Sequence, residues 1–355
     1  MFKKNYIEEI IQEVRKELDL SLKIKPKVSS TFYDKEKNFL LVVAEDRPDK
    51  AAIIGPGGMV IKNVMKKLNL SGISVRTKID LEVKRFRVKV AIKRLKEICK
   101  LTSNDKIKCI INSRLIPLLE NELNYPKRRI PTFTPVKDCI SIVSFSGGVD
   151  SWVAAVLSKI IGLNPITVTV NPATWIIPEK EKKLIETLTL DYDIPHIFTH
   201  SSSEKFRLIF DKGLKGNIHP CGRCHKLIEE EVVSFAVKNK ASIIIFGDLL
   251  PTGNYSAYLV NKNLLRFNIL AALGFSKLDV TTIAKEFSYP NKFFVYGCPM
   301  LREIFKRHLH LTYPSILRVL RECRAGILEP SEANTYIKNI LLQFIKQKLE
   351  NKKTL

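Results

Sequence analysis

The chain has 355 residues, 45% of them apolar, and a formal net charge of +23. This length and this apolar content allow two domains with buried cores and exclude a chain that is disordered throughout. The positive charge favours a polyanionic partner, because each neutralised phosphate releases condensed counterions, although charge that only maintains solubility is the alternative.

The first hundred residues predict a small domain with the element order α-β-β-α-α-β. Residues 5–19 place apolar side chains at helical spacing and carry charges throughout, which predicts an amphipathic helix and excludes a signal peptide. Strand-like runs follow near 21–33 and 39–45, and two short helical segments lead to a third strand at 73–77. No apolar run has the length of a membrane span, so we expect no contact with membranes. Seven cysteines without a secretory signal predict a protein of the reducing cytoplasm.

A glycine-rich turn joins the two short helical segments of this domain. The sequence Ile54-Gly55-Pro56-Gly57-Gly58, followed by Ile61-Lys62, fits the pattern Ile-Gly-x-x-Gly-x-x-Ile-Lys. Together with the element order, this turn resembles a KH domain of type II, in which the Gly-x-x-Gly backbone clamps about four nucleotides. The alternative is an ordinary helix–helix turn beside solvated lysines. The RNA-binding residues that the resemblance implies are Gly55, Pro56, Gly57, Gly58, Lys62 and Lys66.

The chain from residue 79 to residue 129 is basic and predicts mainly helix, with a short strand at 107–111. Three prolines and a charge run between Tyr125 and Pro135 suit a linker between domains. Beyond it strands and helices alternate, which predicts an α/β domain built on a doubly wound parallel sheet. The predicted strands are 140–145, 165–170, 195–199 and 242–246, and the predicted helices are 151–161, 179–190 and 224–239. The expected segments are 1–100 for the KH-like domain, 101–135 for the basic helical connector and linker, 136–330 for the α/β domain and 331–355 for a basic terminal helix.

A loop that suits phosphate binding follows the first strand of the α/β domain. It lies between an apolar strand and an apolar helix, at the carboxyl end of the strand, where such sheets bind ligands. Its adjacent glycines let backbone N–H groups face a phosphate, and the helix N-terminus adds its positive dipole end. No Gly-Lys-Ser/Thr is present, which excludes a Walker A loop, and a Gly-Gly turn with a serine and aspartate cap is the alternative. The loop is Ser146-Gly147-Gly148-Val149-Asp150-Ser151.

Three of the seven cysteines form a second candidate site. Cys221 and Cys224 are a Cys-x-x-Cys pair at the start of a predicted helix, whose dipole stabilises thiolates. Cys298 follows a strand-like run at 293–296. Three thiolates suit an iron–sulfur cluster in which one iron has no protein ligand. The remaining cysteines are expected to be ordinary thiols: Cys99, Cys109, Cys139 and Cys323.

Other chemistries remain open for the same three cysteines. A structural Zn²⁺ site would take His225 or His219 as its fourth ligand. A thiol pair could instead carry persulfide or disulfide chemistry. The sequence Cys-Gly-Arg-Cys-His also matches the attachment pattern of c-type haem, which the lack of an export signal disfavours.

The strand–loop–helix around Ser-Gly-Gly-Val-Asp-Ser resembles the PP-loop ATP pyrophosphatases, which share an adenine nucleotide alpha hydrolase-like fold, over about residues 137–325. The loop, the Pro-Cys-x-x-Cys and the later cysteine together resemble the TtcA/TtuA-type tRNA thiolation enzymes. That resemblance implies that ATP, with Mg²⁺, adenylates a nucleobase carbonyl oxygen, which sulfur then replaces. It implies a [4Fe–4S] cluster on Cys221, Cys224 and Cys298. The implied ATP-binding residues are Ser146, Gly147, Gly148, Val149, Asp150 and Ser151, and the implied catalytic residues are Asp150 and Asp248.

The sequence departs from this family at two motifs. Val149 stands where these enzymes usually have lysine, which removes a cation near the phosphates. After the strand at 242–246 the chain reads Gly-Asp-Leu-Leu-Pro-Thr-Gly and not Gly-His-Asn-x-Asp-Asp, so Asp248 is the candidate replacement for the usual aspartates. The zinc fingers of the TtuA branch are absent, whereas Leu264-Leu265-Arg266 resembles the family's short arginine-containing segment.

These features predict an ATP-dependent RNA sulfurtransferase, with tRNA as the first candidate substrate. Its sulfur would come from sulfide, a cysteine desulfurase or a sulfur-carrier protein, and a homodimer is an oligomeric state that the sequence leaves open. A second hypothesis is another RNA-directed adenylating enzyme, as in lysidine synthesis. A third is a non-catalytic RNA-binding scaffold with a decayed ATPase half. A thionucleoside missing from the tRNA of a deletion strain would separate the first hypothesis from the other two.

Overall fold

The computed structural model describes residues 2–136, 139–171, 176–200, 203–290 and 296–353. The chain forms two compact units, whose boundary falls inside a helix, between Phe86 and Arg87. Unit 1 contains Met1–Phe86 and Asn124–Arg128, and unit 2 contains Arg87–Leu123 and Arg129–Leu355. In the described part of the chain, no helix is both long enough and apolar enough to cross a membrane.

Unit 1 has the element order that the sequence predicts. In its sheet β2 pairs antiparallel with β1 and parallel with β3. The apolar faces of α1 and α3 pack on this sheet, where Ile7, Ile11 and Val64 are fully buried with Leu40 and Val42. The elements are α1 (Lys4–Glu17), β1 (Val28–Asp34), β2 (Phe39–Ala44), α2 (Arg47–Ile54), a 3₁₀ turn (Pro56–Gly58), α3 (Met59–Lys67), β3 (Gly72–Thr77) and the start of α4 (Lys78–Leu101).

The helical connector differs from the prediction at one element. Residues 107–111, predicted as a strand, are helical: they lie in α5 (Asp105–Ile110) and at the start of a π-helical turn (Ile111–Leu115) that leads into α6 (Ile116–Glu122). The strand prediction is wrong because the Asn104 side chain accepts the backbone N–H groups of Lys106 and Ile107 and so starts a helix. The isoleucines at 107, 110 and 111 then share one buried helical face.

Unit 2 contains the α/β sheet that the sequence predicts. The strand order in the described residues is β6-β5-β4-β7-β9-β8, with every neighbouring pair parallel except β8 and β9. The antiparallel β8–β9 hairpin was not predicted as a strand pair. The strands are β4 (Ser141–Ser144), β5 (Pro165–Asn171), β6 (His196–His200), β7 (Ile243–Phe246), β8 (Ala257–Asn261) and β9 (Leu264–Asn268). The helices are α7 (Val149–Ile160), α8 (Glu179–Asp191), α9 (Ser203–Leu214), α10 (Cys221–Lys238), α11 (Ile269–Ala272), α12 (Lys277–Glu286), α13 (Pro299–Arg307), α14 (Tyr313–Arg324) and α15 (Pro330–Lys353).

Helices bury both faces of this sheet, so it is doubly wound. Val143 and Ile245 point to the face that packs against Trp152 of α7. Ile142 points to the opposite face, where it packs in one cluster with Val232 of α10. Because both faces are buried, the strands read as continuous apolar runs instead of alternating ones.

The strand order reverses at the centre of the sheet. β4 lies between β5, which leads outward to β6, and β7, which begins the other half. In open α/β sheets, ligands bind in the crevice at the carboxyl ends of the strands beside such a reversal. Since α7 follows β4 and α10 leads back into β7, both helices begin at this carboxyl edge, and their N-termini face the crevice.

Candidate ATP and thiol site

The candidate phosphate loop between β4 and α7 is held together by its own serines. The Ser151 hydroxyl accepts the Ser146 backbone N–H at 3.2 Å and donates to the Gly148 carbonyl at 2.9 Å. The Ser146 hydroxyl lies 3.2 Å from the Ser151 hydroxyl and accepts the Gly148 N–H at 3.4 Å. The loop therefore forms a compact turn at a helix N-terminus, which is the geometry that binds anions.

Two glycines allow this loop to pack closely on its surroundings. Gly147 has a φ of +74°, and a Cβ there would lie 2.9 Å from the Ile185 side chain. Gly247, directly after β7, packs against the backbone of α7, where a Cβ would lie 2.8 Å from the carbonyl carbon of Asp150. Any larger residue at either position would displace the loop, because real Cβ contacts are essentially never so short.

The Asp150 carboxylate binds a cation that the sequence analysis did not identify. Lys277, the first residue of α12, places Nζ 2.6 and 2.8 Å from the two carboxylate oxygens of Asp150. Ser276 and Asp279 form a capping box that sets the start of α12. The Ser-x-x-Asp pattern could have predicted that helix start, but no local pattern connects Lys277 to a loop 127 residues earlier in the chain.

Tyr289 is a second residue that the sequence analysis missed. Its hydroxyl donates to the Gly147 carbonyl at 2.8 Å. Burial, followed by the carboxylates of Glu181 and Asp150, raises the pKa of Tyr289 to about 12, so the hydroxyl stays protonated at neutral pH. It therefore stabilises the loop at Gly147 as a neutral hydrogen-bond donor.

Asp248, the second predicted catalytic carboxylate, lies in an ion-pair network with Arg266 of β9. An oxygen of Asp248 lies 3.5 Å from one terminal nitrogen of Arg266, and Glu229 of α10 pairs with the other. The guanidinium stacks on the Phe246 ring, 4.0 Å from its centroid. Burial lowers the pKa of Arg266 to about 10, which leaves it charged at neutral pH. Glu229 was not predicted as a site residue, because it lies in a run of three glutamates that reads as a solvated helix face.

The three cysteines lie at the starts of two helices. Cys221 and Cys224 are in the first turn of α10, and Cys298 is the N-cap residue of α13. Burial, followed by the Cys298 thiolate, raises the pKa of Cys221 to about 11. Burial, followed by the thiolates of Cys298 and Cys221, raises the pKa of Cys224 to about 12. At neutral pH Cys221 and Cys224 therefore favour the protonated thiol form.

The thiols are not arranged as a finished metal site. Within the described ranges, no three His, Cys, Asp or Glu side chains have the arrangement that holds a metal ion. Of the two histidines considered for zinc, His225 is exposed, and Nε2 of His219 lies 3.0 Å from the Ser315 hydroxyl. Of the strand-like run expected at 293–296, residues 293–295 lie outside the described residues.

The glycine-rich turn of unit 1 is accessible. A Cβ on Gly57 or Gly58 would meet no atom within 4 Å, whereas one on Gly55 would lie 2.3 Å from the Val60 side chain. Lys62 and Lys66 of α3 are exposed. The turn thus has an accessible backbone at Gly57 and Gly58, whereas Gly55 is packed against Val60. An accessible backbone of this kind suits close approach of a nucleic-acid phosphate.

Comparison with known proteins identifies relatives in one archaeon. The uncharacterized protein MJ1638 of Methanocaldococcus jannaschii is 30% identical over 270 residues, which cover 76% of this chain and 97% of the relative. The uncharacterized protein MJ1016 of the same organism is 28% identical over 147 residues, or 41% of this chain and 47% of the relative. A comparison with protein-family models finds no match.

Among solved structures, the U34-tRNA thiolase NcsA from Methanococcus maripaludis with its [4Fe-4S] cluster superposes on part of the chain. The match covers 59% of this chain and 71% of the thiolase, with 16% sequence identity and a TM-score of 0.33. A superposition this distant does not bear on function.

Proposed function

This chain belongs to the protein family that includes MJ1638 of Methanocaldococcus jannaschii, and we propose that it is an ATP-dependent RNA sulfurtransferase. In this reaction ATP adenylates a carbonyl oxygen of a nucleobase, and sulfur then replaces that oxygen. The expected RNA is a tRNA. The residues of unit 2 around the phosphate loop and the three thiols support this function.

The observation that supports the proposal is that the segment directly after β7 packs both beside the loop and beside one of the thiols. Gly247 packs against the backbone of Asp150 in the loop. Two residues later, Leu249 packs both on the core beneath the loop and on the cluster that contains Cys221. A reaction that couples adenylation to sulfur transfer needs its ATP site and its sulfur site to be neighbours.

The phosphate loop suits the adenylation step. Backbone N–H groups at the start of α7, with the hydroxyls of Ser146 and Ser151, would bind the phosphates of ATP. The base carbonyl oxygen attacks the α-phosphorus, a new O–P bond forms, the bond from the α-phosphorus to the β-phosphate oxygen breaks, and pyrophosphate leaves. The base oxygen now belongs to AMP, a far better leaving group than oxide.

Lys277 would supply the cation that Val149 does not. Val149 packs against the apolar core, so position 149 places no charge at the phosphates. Lys277, whose side chain is 16% exposed, already lies beside the loop through its pair with Asp150. A fixed ammonium next to the phosphates would stabilise the charge that develops on pyrophosphate.

The two carboxylates predicted to act with Mg²⁺ are each paired with a cation among the described residues. Asp150 pairs with Lys277, and Asp248 pairs with Arg266. The role that fits Asp150 is to orient Lys277, and the role that fits Asp248 is to help hold Arg266 between β9 and α10.

The thiol set suits the sulfur-transfer half of the reaction. Cys221, Cys224 and Cys298 lie at the starts of α10 and α13 and are the residues that would hold a cluster, although in the described residues they are not arranged as a finished metal site. Binding would displace the protons that burial favours on Cys221 and Cys224. When bound, a [4Fe–4S] cluster with three protein ligands has one iron that can carry a sulfur atom. In the chemistry on the base, hydrosulfide adds to the activated carbon, the bond from that carbon to the AMP oxygen breaks, and the proton goes to solvent.

Unit 1 supplies the expected contact with RNA. The open backbone at Gly57 and Gly58, with the exposed Lys62 and Lys66 on the next helix, matches what a KH-like turn needs in order to bind a phosphate backbone. Binding of this kind depends on charge, so the affinity for RNA should fall as salt is raised.

Nucleoside mass spectrometry of tRNA from a strain lacking this protein tests the proposal. We expect one thionucleoside to disappear, wild-type protein and Cys109→Ser to restore it, and Cys298→Ser to fail. Cys109 is a matched control because it is an exposed cysteine in the helical connector. A missing amine-modified base would identify the lysidine-like alternative, and an unchanged nucleoside profile would identify the scaffold; either result contradicts the proposal.

A further inference from the structure

The C-terminal helix α15, expected from the sequence only as a basic terminal helix, brings two polar side chains to the thiol site. The ring of Tyr336 lies 6.3 Å from that of Tyr296, centroid to centroid, at an interplanar angle of 60°. About two turns further along the same face of this helix, the Gln343 side-chain amide donates to the Tyr296 carbonyl at 3.0 Å. Tyr296 itself lies two residues before Cys298.

This aromatic pair shares an apolar cluster with one of the thiols and with a residue of the segment after β7. Tyr296 and Tyr336 pack on the same apolar cluster as Cys221 and as Leu249, the residue that also reaches the core beneath the loop. Burial, followed by the carboxylates of Glu332 and Asp150, raises the pKa of Tyr336, so its hydroxyl stays protonated at neutral pH. Both rings are half-buried, so part of each remains available for contact.

The amide of Gln343 has one unused hydrogen-bonding atom. Its Oε1 is buried and has no hydrogen-bond partner among the residues that the structure describes. A buried carbonyl oxygen without a donor is costly, and a ligand N–H at this position would remove that cost. Uracil and guanine each carry a ring N–H next to a carbonyl, whereas the carbonyl of cytosine has no ring N–H beside it.

We propose that Tyr296, Tyr336 and Gln343 form the subsite for the nucleobase that is modified. The base, extruded from its stack, lies on the tyrosine rings, and Gln343 accepts its ring N–H, so that the neighbouring carbonyl faces the phosphate loop on one side and the thiols on the other. Enzymes that act on a base commonly extrude it and stack it against aromatic side chains. This inference rests on the proposed sulfurtransferase function and narrows its substrate to a base of the uracil or guanine type.

The test is RNA-dependent pyrophosphate release, measured with unfractionated tRNA from a strain that lacks the protein. Tyr336→Leu and Gln343→Leu should each lower the turnover at saturating tRNA by about tenfold, because stacking and the N–H contact orient the base. Tyr336→Phe should keep most of the activity, since it keeps the ring. Affinity for tRNA, measured by filter binding, should change less than about twofold, because phosphate contacts dominate it.

Tyr313→Leu is the matched control, because Tyr313 lies on the neighbouring α14 with its side chain 53% exposed and outside the proposed subsite. Wild-type turnover in Tyr336→Leu and Gln343→Leu, or an equal loss in Tyr336→Phe and Tyr336→Leu, would overturn the subsite while leaving the sulfurtransferase function intact. A wild-type protein that releases no pyrophosphate with tRNA would overturn both. The identity of the thionucleoside needs no variant: a thiouridine or thioguanosine supports the subsite, and a thiocytidine contradicts it.

Discussion

Lys277 and Asp150 form an ion pair, with Nζ 2.6 Å from Oδ1 and 2.8 Å from Oδ2, that joins the N-terminus of α12 to the first turn of α7. The lysine side chain is 16% exposed and the aspartate side chain 35%, so solvent screens the pair only in part. The pair holds one cation at a fixed position beside the phosphate loop.

Replacing that cation should weaken ATP binding. We expect Lys277→Met to raise the dissociation constant of ATP by about 10- to 100-fold, because a charge-assisted contact to phosphate contributes about 1.5–3 kcal/mol. Lys277→Arg should recover part of the loss. Isothermal titration calorimetry measures both, and Lys285→Met, an exposed lysine on the same helix, is the control. Equal affinities in Lys277→Met and the control would remove Lys277 from the ATP site.

Arg266 should matter for stability more than any surface ion pair. Arg266→Met should lower the free energy of unfolding by about 3–5 kcal/mol, because it leaves the carboxylates of Glu229 and Asp248 without their counter-charge. Arg266→Lys should not restore it, since an ammonium does not stack on Phe246 as a planar guanidinium does. Urea unfolding gives the values. Arg307→Met, which breaks an exposed pair with Glu303, should cost less than about 1 kcal/mol; a similar loss at both sites would contradict the prediction.

Gly247 should tolerate no side chain. Gly247→Ala places a Cβ 2.8 Å from the backbone of Asp150, so the variant should be destabilised by about 1–3 kcal/mol and should bind ATP more weakly as the loop moves. Gly222→Ala is the stability control, since a Cβ there meets nothing within 4 Å. Thermal unfolding of the two variants separates the steric effect of a Cβ at position 247 from the general effect of replacing glycine by alanine. Equal melting temperatures would contradict close packing at position 247.

His196 of β6 should make unit 2 sensitive to acid. Burial lowers the pKa of His196 to about 4, and its Nε2 is buried with no hydrogen-bond partner in the described residues. In the unfolded chain the pKa of histidine is about 6.5. Between about pH 6.5 and about pH 4 the unfolded state therefore binds a proton that the folded state does not, and the stability falls as the pH falls through this range. The loss is about 1–2 kcal/mol after discounting for the partial exposure of the ring.

His196→Phe should remove this dependence, because phenylalanine has no proton to gain and can pack beside Phe145 and Phe198, which already contact the ring. Urea midpoints of wild type and variant, compared between pH 7.5 and pH 4.5, measure the effect. The wild-type midpoint should fall relative to that of His196→Phe as the pH falls, because only the wild type has a buried imidazole that must be protonated. Parallel curves would mean that another group controls the acid sensitivity.

The sequence by itself predicted the features whose signals are local. The element order of unit 1 and the alternation of strands and helices in unit 2 follow from apolar periodicity, and both are present in the structure. The Gly-Gly loop lies between a strand and a helix, and Cys221 and Cys224 start a helix, as their local patterns indicate. At residues 107–111 the β-branched isoleucines favour a strand, whereas the Asn104 cap and the helical spacing of three isoleucines favour a helix. The structure is helical there.

Only the tertiary structure decided which residues surround these motifs. Lys277 reaches Asp150 across 127 positions, Glu229 reaches Arg266 across 37, and Gln343 reaches Tyr296 across 47. No periodicity within a helix or strand encodes such pairs. They arise in part because the strand order reverses at β4, which brings β7 and the starts of α7 and α10 to one edge of the sheet. They also depend on where α12 and α15 pack, and the apolar face of a helix does not by itself specify its partner. The secondary-structure context of the loop and of Cys221 and Cys224 was therefore predictable from the sequence. The positions of Lys277, of the Arg266 ion pairs and of the Tyr296–Tyr336 pair depend on how distant elements pack.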